Sequence, residues 1–146
     1  MTTSAGLRLV AGLAGTAAMM ASTTVETRLG ARPASAAAVQ AAGKALGVRP
    51  ENPARTELFG ALVHAGYGAG WGLVRALLGQ LGLSGPPAAA VHAAALWPSE
   101  QIALPALGVT APITRQRARD IAPGAWNCLV YAAVTGAVCE ALDRAR

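Results

Sequence analysis

Glu100 is an isolated acidic residue between two uncharged segments of the chain. No Asp, Glu, Lys or Arg occurs in residues 76–99 on one side of it or in residues 101–114 on the other. An ionised carboxylate in the middle of a membrane span costs at least about 2.5 kcal/mol on insertion scales, so a partner or a proton must offset that cost. Such a group can accept hydrogen bonds from a tyrosine, pair with a histidine, or bind a proton or a cation.

Four other polar residues have positions that match Glu100. Four predicted helices with both termini on one side of a bilayer bring the first and third connections together on the other side. At about 1.5 Å per residue, Tyr67, Tyr131 and Glu100 lie roughly 12 to 14 Å from that shared face, with His64 and Asn127 in a shallower layer at about 6 to 9 Å. We predict a polar intramembrane site from these five residues, either as a proton or cation site or as a structural bridge that holds a broken helix.

The elements that must position these residues follow from the distribution of charge. Residues 9–25, 58–74 and 121–139 carry no acidic or basic residue over 17 to 19 positions each, and residues 76–99 form a fourth such segment. Each is near the length that a helix needs to cross a hydrocarbon core of about 30 Å. With 53% hydrophobic and 13% charged residues and a mean hydropathy of +0.41, the chain is predicted to be an all-α integral membrane bundle of about four transmembrane helices.

The 146 residues are predicted to form a single membrane domain. The connection of residues 26–57 is too long to be only a turn, and a short helix is predicted inside it, with Ser35 as the N-cap and Gly47 at its end. The first segment also fits a cleaved signal, with Arg8 before an apolar stretch and small residues at 16–18. The predicted membrane helices span approximately residues 7–25, 58–81, 88–107 and 123–142.

Two prolines mark the third and fourth of these helices. Pro98 removes a backbone hydrogen bond inside the third helix, so a kink is predicted near Leu96, and the Ser99 hydroxyl is placed to satisfy a freed carbonyl. Pro123 is predicted to lie in the first turn of the fourth helix, where its missing N–H has no cost.

Small residues recur at four-residue spacing on the first two predicted helices. Such spacing lets helix backbones approach closely in lipid, where dispersion drives association. A glycine costs a soluble helix about 1 kcal/mol, so this many glycines favour a close-packing partner, either the first or the third helix for the second one. The predicted helix-packing residues are Gly12, Gly15, Gly60, Gly68 and Gly72.

The net charge of +5 and the pI near 10.2 do not indicate a nucleic-acid partner, because the basic residues lack interleaved aromatics on which bases could stack.

Arg75 lies near the predicted end of the second helix and is expected to snorkel to the headgroups. Trp126 is expected at the membrane interface. Cys128 and Cys139 lie about 16 Å apart along one helix, so they cannot form a disulfide and are interpreted as small apolar fillers.

The basic residues also predict an orientation. Eight of them lie in the two connections predicted to share a face, and four lie on the opposite side. Since positively charged connections remain in the cytoplasm, both termini are predicted to lie outside it. The eight are Arg28, Arg32, Lys44, Arg49, Arg55, Arg115, Arg117 and Arg119, and the four are Arg8, Arg75, Arg144 and Arg146.

Four motifs together resemble small bacterial inner-membrane proteins of the YagU-like family. They are AGLAGTAAM from residue 11, HAGYG from residue 64, EQIALPALG from residue 100, and LVYAAVTG from residue 129. The resemblance implies a compact multi-helix protein of the bacterial inner membrane. It also implies a histidine three residues before Tyr131, where this chain has Cys128, and this departure argues against paired-histidine chemistry.

Three classes of function remain open from the sequence. A structural or accessory membrane protein needs only close-packing helix faces, and this is the preferred interpretation. A small proton- or cation-linked permeation protein would use Glu100, and an intramembrane enzyme would need an acid–base pair, for which only Glu100 and His64 qualify. No catalytic residue, metal site or cofactor is assigned. The lipid bilayer, a second copy of the chain or another membrane protein are the expected partners.

Overall fold

The computed structural model describes residues 2–29 and 35–145 of the chain, with side chains described from residue 6 and, after the gap, from residue 36. Every regular element in these ranges is helical, so the all-α prediction is confirmed. A 3-10 turn at Ile113–Arg115 precedes the last helix. The five α-helices are α1 (Thr2–Arg28), α2 (Ser35–Leu46), α3 (Pro53–Gln80), α4 (Gly85–Ala106) and α5 (Ala118–Arg144).

The short helix predicted in the long connection is present as α2. It begins at Ser35 and ends before Gly47, whose φ of 66° is the left-handed conformation that glycine adopts without strain. Arg32 of the same connection and Arg146 at the C-terminus lie outside the described residues, so their predicted positions are not addressed by the structure.

Helix α3 begins earlier than predicted, at Pro53, because the Asn52 side chain accepts a hydrogen bond from the Arg55 N–H at 2.9 Å and caps the helix. Helix α4 begins at Gly85, three residues before the predicted start. Prolines in the first turn of α4 explain this difference, since a proline there forfeits no helical hydrogen bond.

Helix α5 also begins earlier than predicted, at Ala118, which places Pro123 inside the helix and not in its first turn. The Asp120 carboxylate accepts the Arg117 backbone N–H at 3.4 Å and anchors this earlier start. Helix α4 continues without interruption through Pro98 and Pro105. The kink near Leu96 stays a prediction, and the Ser99 hydroxyl donates to the Leu96 carbonyl at 2.6 Å, not to the Ala94 carbonyl that Pro98 leaves free.

Helix α1 is the centre of the bundle. It packs along both α3 and α5, and α5 packs in turn along α4, whereas α3 and α4 contact each other less extensively. The short helix α2 lies across α3 and α4. The Lys44 ammonium donates to the carbonyls of Leu107 and Gly108 at 3.1 and 2.8 Å. The first and third connections therefore meet at one end of the bundle, as the sequence predicts.

Two helices, at residues 6–28 and 118–144, are long and apolar enough to cross a membrane. Helices α3 and α4 have sufficient length, 28 and 22 residues, but their Gly and Pro residues and their polar side chains lower the mean hydropathy. Large apolar side chains are exposed along several helices, including Val10, Leu62, Val91 and Leu129. These features suggest association with a membrane.

Candidate functional site

A cavity of about 340 Å³ lies inside the bundle at the end covered by α2. All five helices contribute to its wall, and most of that wall is apolar. Helix α2 covers it with four alanines, at positions 38, 41, 42 and 45. The polar side chains in the wall are Thr23, His64, Tyr67, Ser99, Glu100, Asn127 and Cys128.

Glu100 is the acidic group of this cavity. One of its carboxylate oxygens accepts the Tyr67 hydroxyl at 3.2 Å, and the other accepts the Cys128 thiol at 3.5 Å. The residue lies in α4, six residues before that helix ends at Ala106. Within the described residues no Lys or Arg side chain lies within 4 Å of the carboxylate. The two donors compensate the loss of water only in part, because neither carries a charge.

His64 and Asn127 lie in the wall of the same cavity. The His64 Nδ1 is 2.7 Å from the Gly60 carbonyl, one turn earlier in α3. The Asn127 amide nitrogen donates to Glu26 at 3.3 Å. Of the five residues predicted to form a polar site, His64, Tyr67, Glu100 and Asn127 therefore share one cavity, and only Tyr67 bonds directly to Glu100.

Tyr131 does not bond to Glu100. Its hydroxyl donates to the Gly68 carbonyl of α3, and its side chain is 2% exposed. Counting residues placed Tyr131 at the correct depth but could not give its direction around the helix. Its place beside Glu100 is taken by Cys128, so the interpretation of Cys128 as an apolar filler is incomplete.

The Gly68 carbonyl that accepts the Tyr131 hydroxyl belongs to a glycine seam between α1 and α3, formed by Gly12, Gly68 and Gly72. A Cβ on Gly68 would overlap the Thr16 hydroxyl, and a Cβ on Gly72 would lie 2.6 Å from the Arg8 carbonyl. A Cβ on Gly12 would in turn approach the Gly72 Cα to 3.0 Å. Only hydrogen fits at these three positions, so the predicted close packing of the second helix is with the first.

The other two predicted packing glycines have different roles. Gly15 faces α5, where a Cβ would overlap the Thr135 hydroxyl and lie 2.9 Å from the Tyr131 ring. Gly60 is not part of the α1–α3 seam. A Cβ there would meet only Val39 of α2, at an ordinary contact distance of 3.5 Å. The four-residue spacing predicts that Gly60 lies on the same side of α3 as Gly68. At Gly60, however, α3 packs against α2 and not against α1.

A line of aromatic rings connects the cavity to the other half of the bundle. Tyr67 and Trp71 have ring centroids 6.2 Å apart, Trp71 and His92 5.8 Å, and His92 and Tyr131 5.6 Å. Edge-to-face and tilted pairs at these separations are attractive. They hold the Tyr67 ring in position for its bond to Glu100.

No family model, no curated protein and no solved structure matches this chain. The resemblance to YagU-like proteins therefore stays a prediction.

Three more buried polar residues are not among those predicted for the polar site. His92 and Thr135 are fully buried, and Arg75 is only 3% exposed. The expectation that Arg75 snorkels to headgroups is wrong, because its side chain packs inward near Gly136 of α5. The spacing of the sequence indicates this burial. Arg75 lies four residues after Trp71 and seven after Gly68, so the three residues share one face of α3.

Other predicted features can be placed on the structure. Both cysteines are buried free thiols. Trp126 is 57% exposed, and its indole N–H donates to Ser22 at 3.1 Å. In the part of the chain that the structure describes, no group of three or more His, Cys, Asp or Glu residues is arranged to hold a metal ion.

Proposed function

We propose that the chain is a four-span membrane protein of the bacterial inner membrane whose bundle contains a proton or cation site centred on Glu100. Helices α1 and α5 supply the two spans that meet the requirements of length and composition. Helices α3 and α4 supply the other two, and α2 lies across the bundle end. Exposed apolar side chains such as Leu62 and Val91 on α3 and α4 would face lipid.

One observation carries this proposal. The Glu100 carboxylate lies in a partly open, largely apolar cavity and has two neutral donors, Tyr67 and Cys128, but no cationic partner within 4 Å in the described residues. A purely structural bridge would need only neutral groups, since these avoid the cost of burying a charge. A carboxylate that remains accessible from a cavity is suited to binding a positive charge reversibly.

The proposed orientation places the cavity at the cytoplasmic face. At the α2 end the described basic residues include Lys44, Arg55 and Arg115, whereas Arg8 and Arg144 lie at the other end. Arg75 does not belong to the basic residues of either end of the bundle, because its side chain is buried inside it. This distribution supports both termini outside the cytoplasm, with α2 and the cavity beneath it at the cytoplasmic surface.

The test is cation flux in reconstituted vesicles. We expect the parent protein to carry H⁺, Na⁺ or K⁺ down an imposed gradient and Glu100→Gln to abolish that flux while leaving thermal stability in detergent nearly unchanged, because an amide still accepts from Tyr67. Glu140→Gln is the matched control, since it removes an acid from α5 outside the cavity. Absence of flux in the parent, or equal flux in the Glu100→Gln protein, would contradict the transport proposal.

A structural or accessory role is the second candidate, and the glycine seam favours it. The contacts of Gly12, Gly68 and Gly72 need no ligand and give α1 and α3 a fixed geometry. A parent protein without flux, but with a stable bundle that depends on Gly68, would support this second role.

A further inference from the structure

We propose that the cavity beneath α2 binds a small apolar organic ammonium ion, with Glu100 as the acceptor of the ammonium group. This inference rests on the proposed cation site and specifies its ligand. The ligand class follows from the hydrogen-bonding capacity of the wall and from the shape and chemistry of the remaining surface.

Two acceptor atoms beside the cavity are buried without a partner and expose no surface to it. Because the Gly60 carbonyl can only accept, the hydrogen on the His64 ring lies on Nδ1, and the Nε2 of the neutral ring is an acceptor. That Nε2 is buried without a partner. Asn127 uses its amide nitrogen on Glu26, which leaves its Oδ1 buried and also without a partner.

Four donors of the wall, in contrast, are directed to the protein. The hydroxyl of Tyr67 and the thiol of Cys128 donate to Glu100, and the hydroxyls of Thr23 and Ser99 donate to backbone carbonyls of their own helices. A ligand that bonds to Glu100 must therefore bring an N–H or O–H donor of its own. A primary ammonium group brings three donors and the positive charge that a carboxylate favours.

The rest of the cavity specifies an apolar body for the ligand. Met19, Val63, Leu104 and the alanines of α2 line most of it. Tyr67 and Trp71 present two rings at 66° to each other beside Glu100. Aromatic rings in a cavity that also holds a carboxylate are a common arrangement for binding organic ammonium ions, because the ring quadrupole attracts a cation.

An inorganic ion suits this cavity less well. Na⁺ or K⁺ favours a shell of oxygen ligands, and in this wall the Asn127 Oδ1 is inaccessible, which leaves the Glu100 carboxylate as the charged oxygen ligand. A volume of about 340 Å³ is also within the range of sites for small organic molecules. Lys44 does not compete for Glu100, because its ammonium group is bound to the carbonyls at the end of α4.

The experiment compares three probes of similar shape and different charge, which are benzylamine, benzyl alcohol and benzoate. Their dissociation constants are measured on the full chain in detergent by calorimetry, with empty micelles subtracted. We expect benzylamine to bind at least about tenfold more tightly than benzyl alcohol and benzoate not to bind, because only the amine brings a positive charge to the Glu100 carboxylate. Glu100→Gln should remove this preference, and Glu140→Gln should retain it.

A cavity-filling variant keeps the test independent of the carboxylate. Ala42→Phe places a ring in the cavity from α2 without removing a polar group, so it should weaken benzylamine binding at least about tenfold. Equal affinity for benzyl alcohol and benzylamine, or unchanged benzylamine affinity in Glu100→Gln, would overturn the inference. Flux of K⁺ or Na⁺ without benzylamine binding would overturn it and leave the proposed function intact. Benzylamine binding without flux would support the ligand class and contradict the transport role.

Discussion

The Tyr131 hydroxyl donates to the carbonyl oxygen of Gly68, the glycine at which α3 touches Thr16 of α1. One hydrogen bond from α5 is thus accepted by a residue of the glycine seam between α1 and α3. It is a second bond to a carbonyl inside α3 and fixes the height of α5 relative to α3, although these two helices contact each other little elsewhere. The three helices are held together at this point.

Tyr131→Phe is expected to lower the free energy of unfolding by about 1 kcal/mol, because it removes this bond and leaves the apolar ring packing in place. The measurement is unfolding of the purified protein in mixed micelles. An unchanged midpoint would mean that the hydroxyl does not stabilise the bundle.

Gly68→Ala is expected to destabilise the protein by about 1 to 3 kcal/mol, since the added methyl would overlap the Thr16 side chain and force α1 and α3 apart. Gly70→Ala is the matched control two residues away. A Cβ on Gly70 meets nothing within 4 Å, so this change should be neutral or stabilise α3 through helix propensity. Similarly, Gly68→Leu should be more damaging than Gly79→Leu. Equal stability of the two alanine variants would show that the seam does not limit packing.

Arg75→Met is expected to raise the melting temperature. Arg75 is 3% exposed, its Nε has no hydrogen-bond partner, and no carboxylate in the described residues lies within 4 Å. A methionine fills a similar volume without the cost of burying a charge. Arg28→Met, at an exposed position, should leave the melting temperature unchanged. A marked decrease for Arg75→Met would indicate that a counter-charge accompanies this arginine.

Lys44→Met is expected to increase the rate at which a maleimide modifies Cys128 several-fold. Lys44 attaches α2 to the end of α4, and Cys128 lies in the wall of the cavity that α2 covers. The measurement uses a Cys139→Ala background, so that a single thiol reports. Arg49→Met, an exposed change in the same connection, should have no effect. Equal labelling rates in all proteins would show that α2 does not control access.

The proposed orientation predicts that alkaline phosphatase fused to the C-terminus is active in a bacterial host and that a fluorescent protein fused there is dark. The reverse pattern would place the termini, and with them the end opposite α2, in the cytoplasm.

The sequence predicted the helices better than the directions of their side chains. Charge-free runs located α1, α3, α4 and α5, and the Gly47 signal located α2. The ends differed where capping decided them, as at Asn52 and Asp120. Depth along a helix comes from counting residues, and this placed Glu100 and Tyr67 at a common level.

Rotation around each helix axis depends on which neighbours it meets, and that information is not local. For this reason Tyr131 was assigned to Glu100 and not to Gly68, and Arg75 was assigned to the membrane surface and not to the interior. Because a buried cysteine usually behaves as a small apolar residue, the sequence does not predict that the Cys128 thiol donates to Glu100. His92 was missed because a single histidine among alanines carries no pattern of its own.

Two prolines inside α4 interrupt its backbone hydrogen bonding, as Pro123 does once in α5. Pro98 and Pro105 remove the backbone bonds to the carbonyls of Ala94 and Gln101, and α4 contacts α3 only sparsely on the side where the cavity lies. Helices α1, α3 and α5 are joined by the glycine seam and by Tyr131. Three helices of the bundle are therefore joined at one point, and Glu100 lies on a fourth, α4, which lacks two backbone hydrogen bonds. Bending of α4 would change the distance between Glu100 and Tyr67 while the rest of the wall remained in place.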